Sequence, residues 1–172
     1  QSLRSLPALR SEAKRLIAGI DRLIARVELM MQQTLEQIPA ARQAAEHIAT
    51  ITGFGPLGST CLGHSFTRLP YANSDAVVAS SGLDPRPEDS GQKHGRRRLS
   101  KQGPAEQRRI LFNCARSAAR TKLWQPYYQA QLAKGLSATA ATVILARKML
   151  RVAFAVYKHG QPFNPSLLGS RA

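Results

Sequence analysis

The residues with the most capacity for chemistry lie in one short stretch, 89–103, reading DSGQKHGRRRLSKQG. Ser90 stands next to Gly91, whose backbone freedom lets the hydroxyl be presented to a substrate. Lys93, His94, Arg96, Arg97, Arg98 and Lys101 follow within eleven residues. A cation cluster of this kind holds a phosphodiester and offsets the charge of a phosphoryl-transfer transition state. It also lowers the cost of ionising a nearby hydroxyl nucleophile. The residues themselves leave two readings open. Ser90 is a nucleophile, or Ser90–Gly91 is a turn and the cations only grip a backbone.

Other chemistries find less support. The carboxylates in the middle of the chain are Asp75, Asp84, Glu88, Asp89 and Glu106, and no subset suggests the converging acidic ligands of a two-metal nuclease. Cys61, His64, His94 and Cys114 lack zinc spacing. No metal or other cofactor is expected in this chain. Two cysteines are too few for a disulfide framework and read as buried thiols in a reducing compartment.

The balance of charge points to the partner. Among 172 residues, 25 Lys and Arg stand against 10 Asp and Glu, a net charge of +15. No acidic residue follows Glu106. A compact domain with that excess repels itself unless a polyanion compensates it. Nucleic acid is the expected partner, with an anionic membrane surface second. No apolar run is long enough to span a bilayer, and no signal peptide is visible.

The elements that must position this chemistry read as helices. Leu9, Ala13, Leu16, Ile20, Leu23, Val27 and Met30 alternate in steps of four and three, a heptad seam. This predicts one helix from about Pro7 to Gln37, roughly 45 Å long at 1.5 Å per residue, serving as a bundle helix or a dimerisation helix. Pro39 opens a second helix that ends at TGFGP, 52–56, where Pro56 starts a third. A helix, Gly53-Phe54-Gly55 and another helix make the pattern of a helix-hairpin-helix, with the glycines allowing close approach of backbone to phosphate; a plain αα-turn fits the same residues. Asn73 or Ser74 caps a short helix that Gly82 stops. Pro104 opens a helix whose basic side carries Arg108, Arg109, Arg116 and Arg120. A short helix follows Trp124, and Ser137 caps the last, which runs to about Lys158. The predicted fold is all-α, with room for a short ribbon inside the basic loop. The expected organisation is a coiled-coil or linker helix over 1–38, a helical domain over 39–159 with a helix-hairpin-helix at about 41–66 and the basic serine loop at 83–103, and a flexible tail over 160–172.

Four blocks carry a resemblance: TGFGP at 52–56, ASSGLDPRPEDSG at 79–91, GRRRLSKQG at 95–103 followed by RRIL, and ARKMLRVAFAVY at 146–157. In order and spacing they resemble the C-terminal transposase domain of the IS-one-ten family of insertion-sequence transposases, the group that includes the Piv-type DNA invertases. The resemblance implies a DNA transposase or recombinase that cleaves and rejoins DNA, with Ser90 at the position of the serine that forms a phosphoserine link. It implies a structured bridge RNA as guide, and a preceding RuvC-like domain whose DEDD set holds a divalent metal such as Mg. No counterpart of that acidic set is present, so the chain reads as a C-terminal piece, inactive alone. Lys93, Arg96, Arg97, Arg98, Lys101, Arg108 and Arg109 are expected to bind DNA or RNA, with Gly53 and Gly55 as a second backbone contact. The first helix is expected to build a homo-oligomer, and the location to be cytoplasmic, at the nucleoid. A non-catalytic helix-hairpin-helix binding module is the alternative.

Overall fold

The structure, a computed structural model, describes residues 7–86 and 98–168, with Ala8 and Arg98 described in backbone only. Its described secondary structure is seven α-helices, one 3₁₀ turn and a two-residue ribbon, so the fold is all-α. The chain divides into two units, residues 1–38 and 39–172.

The first unit is helix α1, Pro7–Glu36. Its apolar seam remains uncovered: Leu16 is 65% and Leu23 62% exposed, and Ile17, Ile20, Ile24 and Val27 are exposed with them.

The second unit begins with α2, Pro39–Ala49, and α3, Pro56–Arg68. These two pack backbone to backbone. A methyl group at Gly63 would meet the Ala41 carbonyl at 2.7 Å and the Ala45 nitrogen at 2.9 Å, and Ala41, Ala44 and Ala45 are all buried. Small residues on both helices are what allow that approach. Helix α4, Ser74–Ser81, starts under an Asn73 cap whose side chain accepts from the Asp75 and Ala76 amides, and stops at Gly82 in the left-handed conformation. Strands β1, Pro85–Arg86, and β2, Arg98–Leu99, pair antiparallel with Pro85 opposite Leu99. Helix α5 is Ala105–Ala118, α6 is Gln125–Ala133 and α7 is Ala138–His159.

Helix α7 touches α2, α3, α4, α5 and α6. It buries Leu145, Met149, Leu150, Ala153 and Phe154 against Ile48, Leu62, Phe66, Val77 and Leu111. The Phe66 ring meets Phe154 edge-on at 5.5 Å and Tyr71 edge-on at 6.1 Å. Truncating a buried ring such as Phe66 to Ala costs about 3–5 kcal/mol. Trp124, 1% exposed, donates from Nε1 to the Thr52 carbonyl at 2.8 Å and so ties the start of α6 to the α2–α3 turn.

The stretch after Gly160, expected from sequence to be flexible, makes defined contacts as far as Leu168. The Phe163 amide donates to Thr50 Oγ1 at 2.8 Å, its ring stacks on Trp124 at 6.5 Å, and Pro165–Leu168 forms a 3₁₀ turn.

Candidate functional site

Ser90, Lys93, Arg96 and Arg97 lie outside the described residues, and the backbone of Arg98 is in β2. The structure therefore speaks to the framework from which the stretch 87–97 departs and to which it returns. That framework is tightly fixed. The chain leaves α4 at Gly82, φ +68°, and comes back past Gly103, and the two glycines cross in backbone contact. A methyl at Gly82 would stand 2.7 Å from the Gly103 nitrogen and 2.8 Å from the Gln102 nitrogen; one at Gly103 would overlap the Ser80 carbonyl and stand 2.5 Å from the Ser81 carbonyl carbon. Only glycine at both positions permits this crossing.

Hydrogen bonds hold the same crossing. The Lys101 amide donates to the Gly82 carbonyl at 3.1 Å and the Ser100 amide to the Asp84 carbonyl at 3.0 Å. The Ser100 hydroxyl donates to Asp84 Oδ1, and Arg86 Nε to Asp84 Oδ2 at 3.2 Å. Partial burial pushes the Asp84 carboxyl up, but the Ser100 and Arg86 hydrogen bonds and the Arg86 charge outweigh it and hold the group below its ordinary range. Lys101 takes φ +53°, rare for a residue with a side chain. Backbone held in such a region is over-determined by its surroundings, here the Gly82 contact.

The cations expected to bind nucleic acid fall into different classes. Arg108, half-buried, donates from Nη1 to the Gly103 carbonyl and so anchors the return of the stretch to α5. Arg109 is exposed and pairs with Glu106, Nη2 to Oε2 at 2.7 Å, an exposed pair of small energetic weight that a phosphate displaces readily. A cation that sequence reasoning did not single out is Arg147, within electrostatic reach of Asp84. Arg147 of α7 has a buried Nε with no acceptor among the described residues. Burial lowers the affinity of its guanidinium for its proton, the Arg151 charge acts the same way, and Tyr127 and Asp84 act against both. Arg151 is itself bound to Asp75 at 2.8 Å.

At the α2–α3 turn the two glycines do different work. Gly53 has φ +105°, and a methyl there would collide with the Ala118 side chain at 2.6 Å, so its bareness serves packing against α5. Gly55 precedes α3 with open space where a side chain would stand. Phe54 between them is buried. The Cys114 thiol lies beneath this turn, pushed up to about 11 by burial, with the Gly55 amide acting the other way. Burial raises Cys61 as well. Both thiols are free. Among the described residues no group of three or more His, Cys, Asp or Glu is placed to hold a metal ion, and no helix is long and apolar enough to cross a membrane.

Residues 45–129, which run from α2 through the glycine crossing and into α6, match the sequence model of the Transposase IS116/IS110/IS902 family. The chain belongs to this family of transposases. It is 30% identical over 142 residues to the transposase for insertion sequence element IS1328 of Yersinia enterocolitica, a match that takes in 78% of this chain and 42% of that protein. The chain thus spans less than half the length of this curated relative. The matched segment contains every residue that the sequence singled out as a site, from Gly53 to Arg109.

What sequence reasoning missed at this transposase framework is the pinning, through Gly82, Asp84, Ser100, Gly103 and Arg108. A signal was present: glycines bracket the basic stretch at both ends. Their contact across twenty residues has no periodicity to reveal it.

Proposed function

We propose that this chain is the serine-bearing, DNA-gripping part of a transposase that cleaves and rejoins DNA. The observation that supports it best is the rigid crossing of Gly82 and Gly103, within the family-matched segment, on either side of the stretch that carries Ser90. A nucleophile must be held near attack geometry to gain from proximity, and in this proposal the pinned crossing is the base from which the stretch carrying Ser90 departs and to which it returns. In the proposed step Ser90 Oγ attacks a DNA phosphorus. The new Oγ–P bond forms as the bond from phosphorus to one deoxyribose oxygen breaks; the Ser90 hydroxyl gives up its proton to water and the freed deoxyribose oxygen takes one up from water, so the strand end is stored as a phosphoserine. Lys93, Arg96, Arg97, Arg98 and Lys101 take up the charge on the phosphoryl oxygens. Arg109, released from Glu106, and Arg108 add to the grip, and the open face at Gly55, with Gly53 setting the turn, gives a second backbone contact of the helix-hairpin-helix kind.

In this proposal a divalent metal such as Mg belongs to a RuvC-like acidic domain working with this one, and the chain alone is expected to be inactive. A bridge RNA as guide, self-association through the uncovered seam of α1, and a cytoplasmic location at the nucleoid complete the proposal. The chain's similarity to an insertion-element transposase supports the DNA role.

The second reading, a helix-hairpin-helix module that binds without catalysis, draws on the open Gly55 face at the start of α3. A suicide DNA substrate offered to the full-length transposase separates the two. A covalent protein–DNA adduct that disappears in Ser90→Ala while binding persists supports the nucleophile. Recombination by Ser90→Ala at the normal rate refutes it, and tight binding with no adduct from any variant favours the module.

A further inference from the structure

A cleft of about 500 Å³ opens between the end of α5, the start of α6 and α7, away from the residues assigned above. Its volume lies inside the roughly 300–1,000 Å³ range of small-ligand sites. Two rows of side chains line it. Arg116 near the end of α5 and Arg120 in the turn that follows form one wall; Gln125 and Gln129, one turn apart on α6, form the other with Tyr128 beside them. Thr142 of α7 contributes its methyl, because its hydroxyl already donates to the Ala138 carbonyl at 2.8 Å.

The chemistry of this lining is specific. Neither arginine forms an ion pair among the described residues, and no Asp or Glu occurs anywhere after Glu106. Two exposed guanidinium groups lining one cleft without a counter-charge attract an anion. Each glutamine amide presents a donor and an acceptor side by side, the pattern that reads the edge of a nucleobase. Tyr128 is partly buried: it packs against the hydrophobic core and also borders the cleft. Phosphate-binding cations, edge-reading amides and an aromatic side chain bordering the same cleft match the phosphate, base edge and base face of one nucleotide. A duplex still shows base edges in its grooves, but its base faces are stacked, so only an unpaired base can lay a face on Tyr128.

We propose that this cleft binds one unpaired nucleotide of a single nucleic-acid strand, with the phosphate held by Arg116 and Arg120 and the base laid on Tyr128 and read by Gln125 and Gln129. The inference rests on the reading of this chain as a nucleic-acid-binding transposase part and adds a strand-form preference to it. The strand is DNA or RNA by the same chemistry, and the test distinguishes them.

Fluorescence anisotropy of the purified chain measures binding to single-stranded DNA, single-stranded RNA and duplex DNA of one sequence at fixed salt. The Gln125→Ala/Gln129→Ala double variant changes only exposed side chains, so its fold is preserved; a helical circular-dichroism melt checks this. It is expected to weaken binding of one single strand, or both, roughly tenfold, on the scale of losing one seated base, and to leave duplex binding unchanged. The strand type that loses affinity identifies the source. Arg116→Ala/Arg120→Ala is expected to reduce the slope of log affinity against log salt by about 1.4 for a single strand, two contacts at roughly 0.7 each. A 2-aminopurine base in the strand is expected to be quenched on binding, with less quenching in Tyr128→Leu. Single-strand affinity of the glutamine variant within twofold of wild type, or an equal loss on duplex, overturns the cleft while leaving the nucleic-acid reading intact. Failure of the wild-type chain to bind any of the three overturns both.

Discussion

Replacing Gly103 by alanine tests whether the base of the Ser90-bearing stretch is pinned as described. The added methyl would overlap the Ser80 carbonyl oxygen and stand 2.5 Å from the Ser81 carbonyl carbon. These are backbone atoms at the end of α4, and Ser81 is fully buried, so no flexible side chain is available to move aside. Overpacking a rigid site costs about 1–3 kcal/mol, and contacts this close against backbone belong at ~3 or beyond. Two other glycines separate sterics from backbone conformation. Gly135 has φ +79° with nothing within 4 Å, so Gly135→Ala meets only the left-handed penalty of about 1–2 kcal/mol. Gly82 combines φ +68° with contacts under 3 Å and should cost the most of the three. For a folded unit of this size, ~3–5 °C of melting temperature is lost per kcal/mol. Gly103→Ala is therefore expected to melt about 10–15 °C below wild type, and Gly135→Ala about 4–8 °C below, on the same scale. Thermal unfolding followed by circular dichroism at the helical band, with guanidinium titrations as a check, reads the difference. A Gly103→Ala protein that melts with wild type, or a Gly135→Ala protein that loses as much as Gly103→Ala, would refute the crossing as drawn.

Three further outcomes follow from the packing and the titrating groups. Cys114 keeps its proton up to about 11 in the folded state against an ordinary 9.0, so the stability it confers is complete below 9.0 and declines as pH rises from there toward 11; denaturant midpoints across that window should fall, and Cys114→Ala should flatten the fall. Asp84 is held below its ordinary 3.8, so its contribution is present above that value and is lost as pH falls below it through the native value. Acid titration of the fold should show a shallower limb in Asp84→Asn. Trp124→Phe keeps most of the ring burial but deletes the donor to the Thr52 carbonyl, a part-buried hydrogen bond, at a cost of ~0.5–1.5 kcal/mol, measurable as a lower denaturant midpoint; an unchanged midpoint would mean that water replaces the Trp124 donor at the exposed Thr52.

The helix ends were legible because each is decided within a few residues. Asn73 closes the first turn of α4 with its own side chain, Gly82 and Gly160 take the left-handed stop at φ +68° and +61°, and Ser137 caps α7 by accepting from the Ala140 amide. Pro39 and Pro56 open α2 and α3, where a missing amide costs nothing. The stretch with the candidate nucleophile was legible for the same local reason: composition and charge mark it. Side-chain roles were less so. Arg108 and Arg109 are neighbours with the same charge, yet one anchors the Gly103 carbonyl and the other pairs with Glu106. Gly53 and Gly55 look alike in TGFGP, yet only Gly53 is pressed against Ala118.

The sequence by itself determined the all-α class, the order and ends of the helices, the one-sided charge after Glu106 and the family. All of these rest on sterics and charge that act along the chain. Tertiary structure alone decided which backbone segments meet. It set Gly82 against Gly103, Asp84 against Ser100, Trp124 beneath the α2–α3 turn, and Arg116 and Arg120 across a cleft from Gln125 and Gln129. Those pairings depend on how helices with small and large side chains fill a common core, and no residue carries that information in its immediate neighbours.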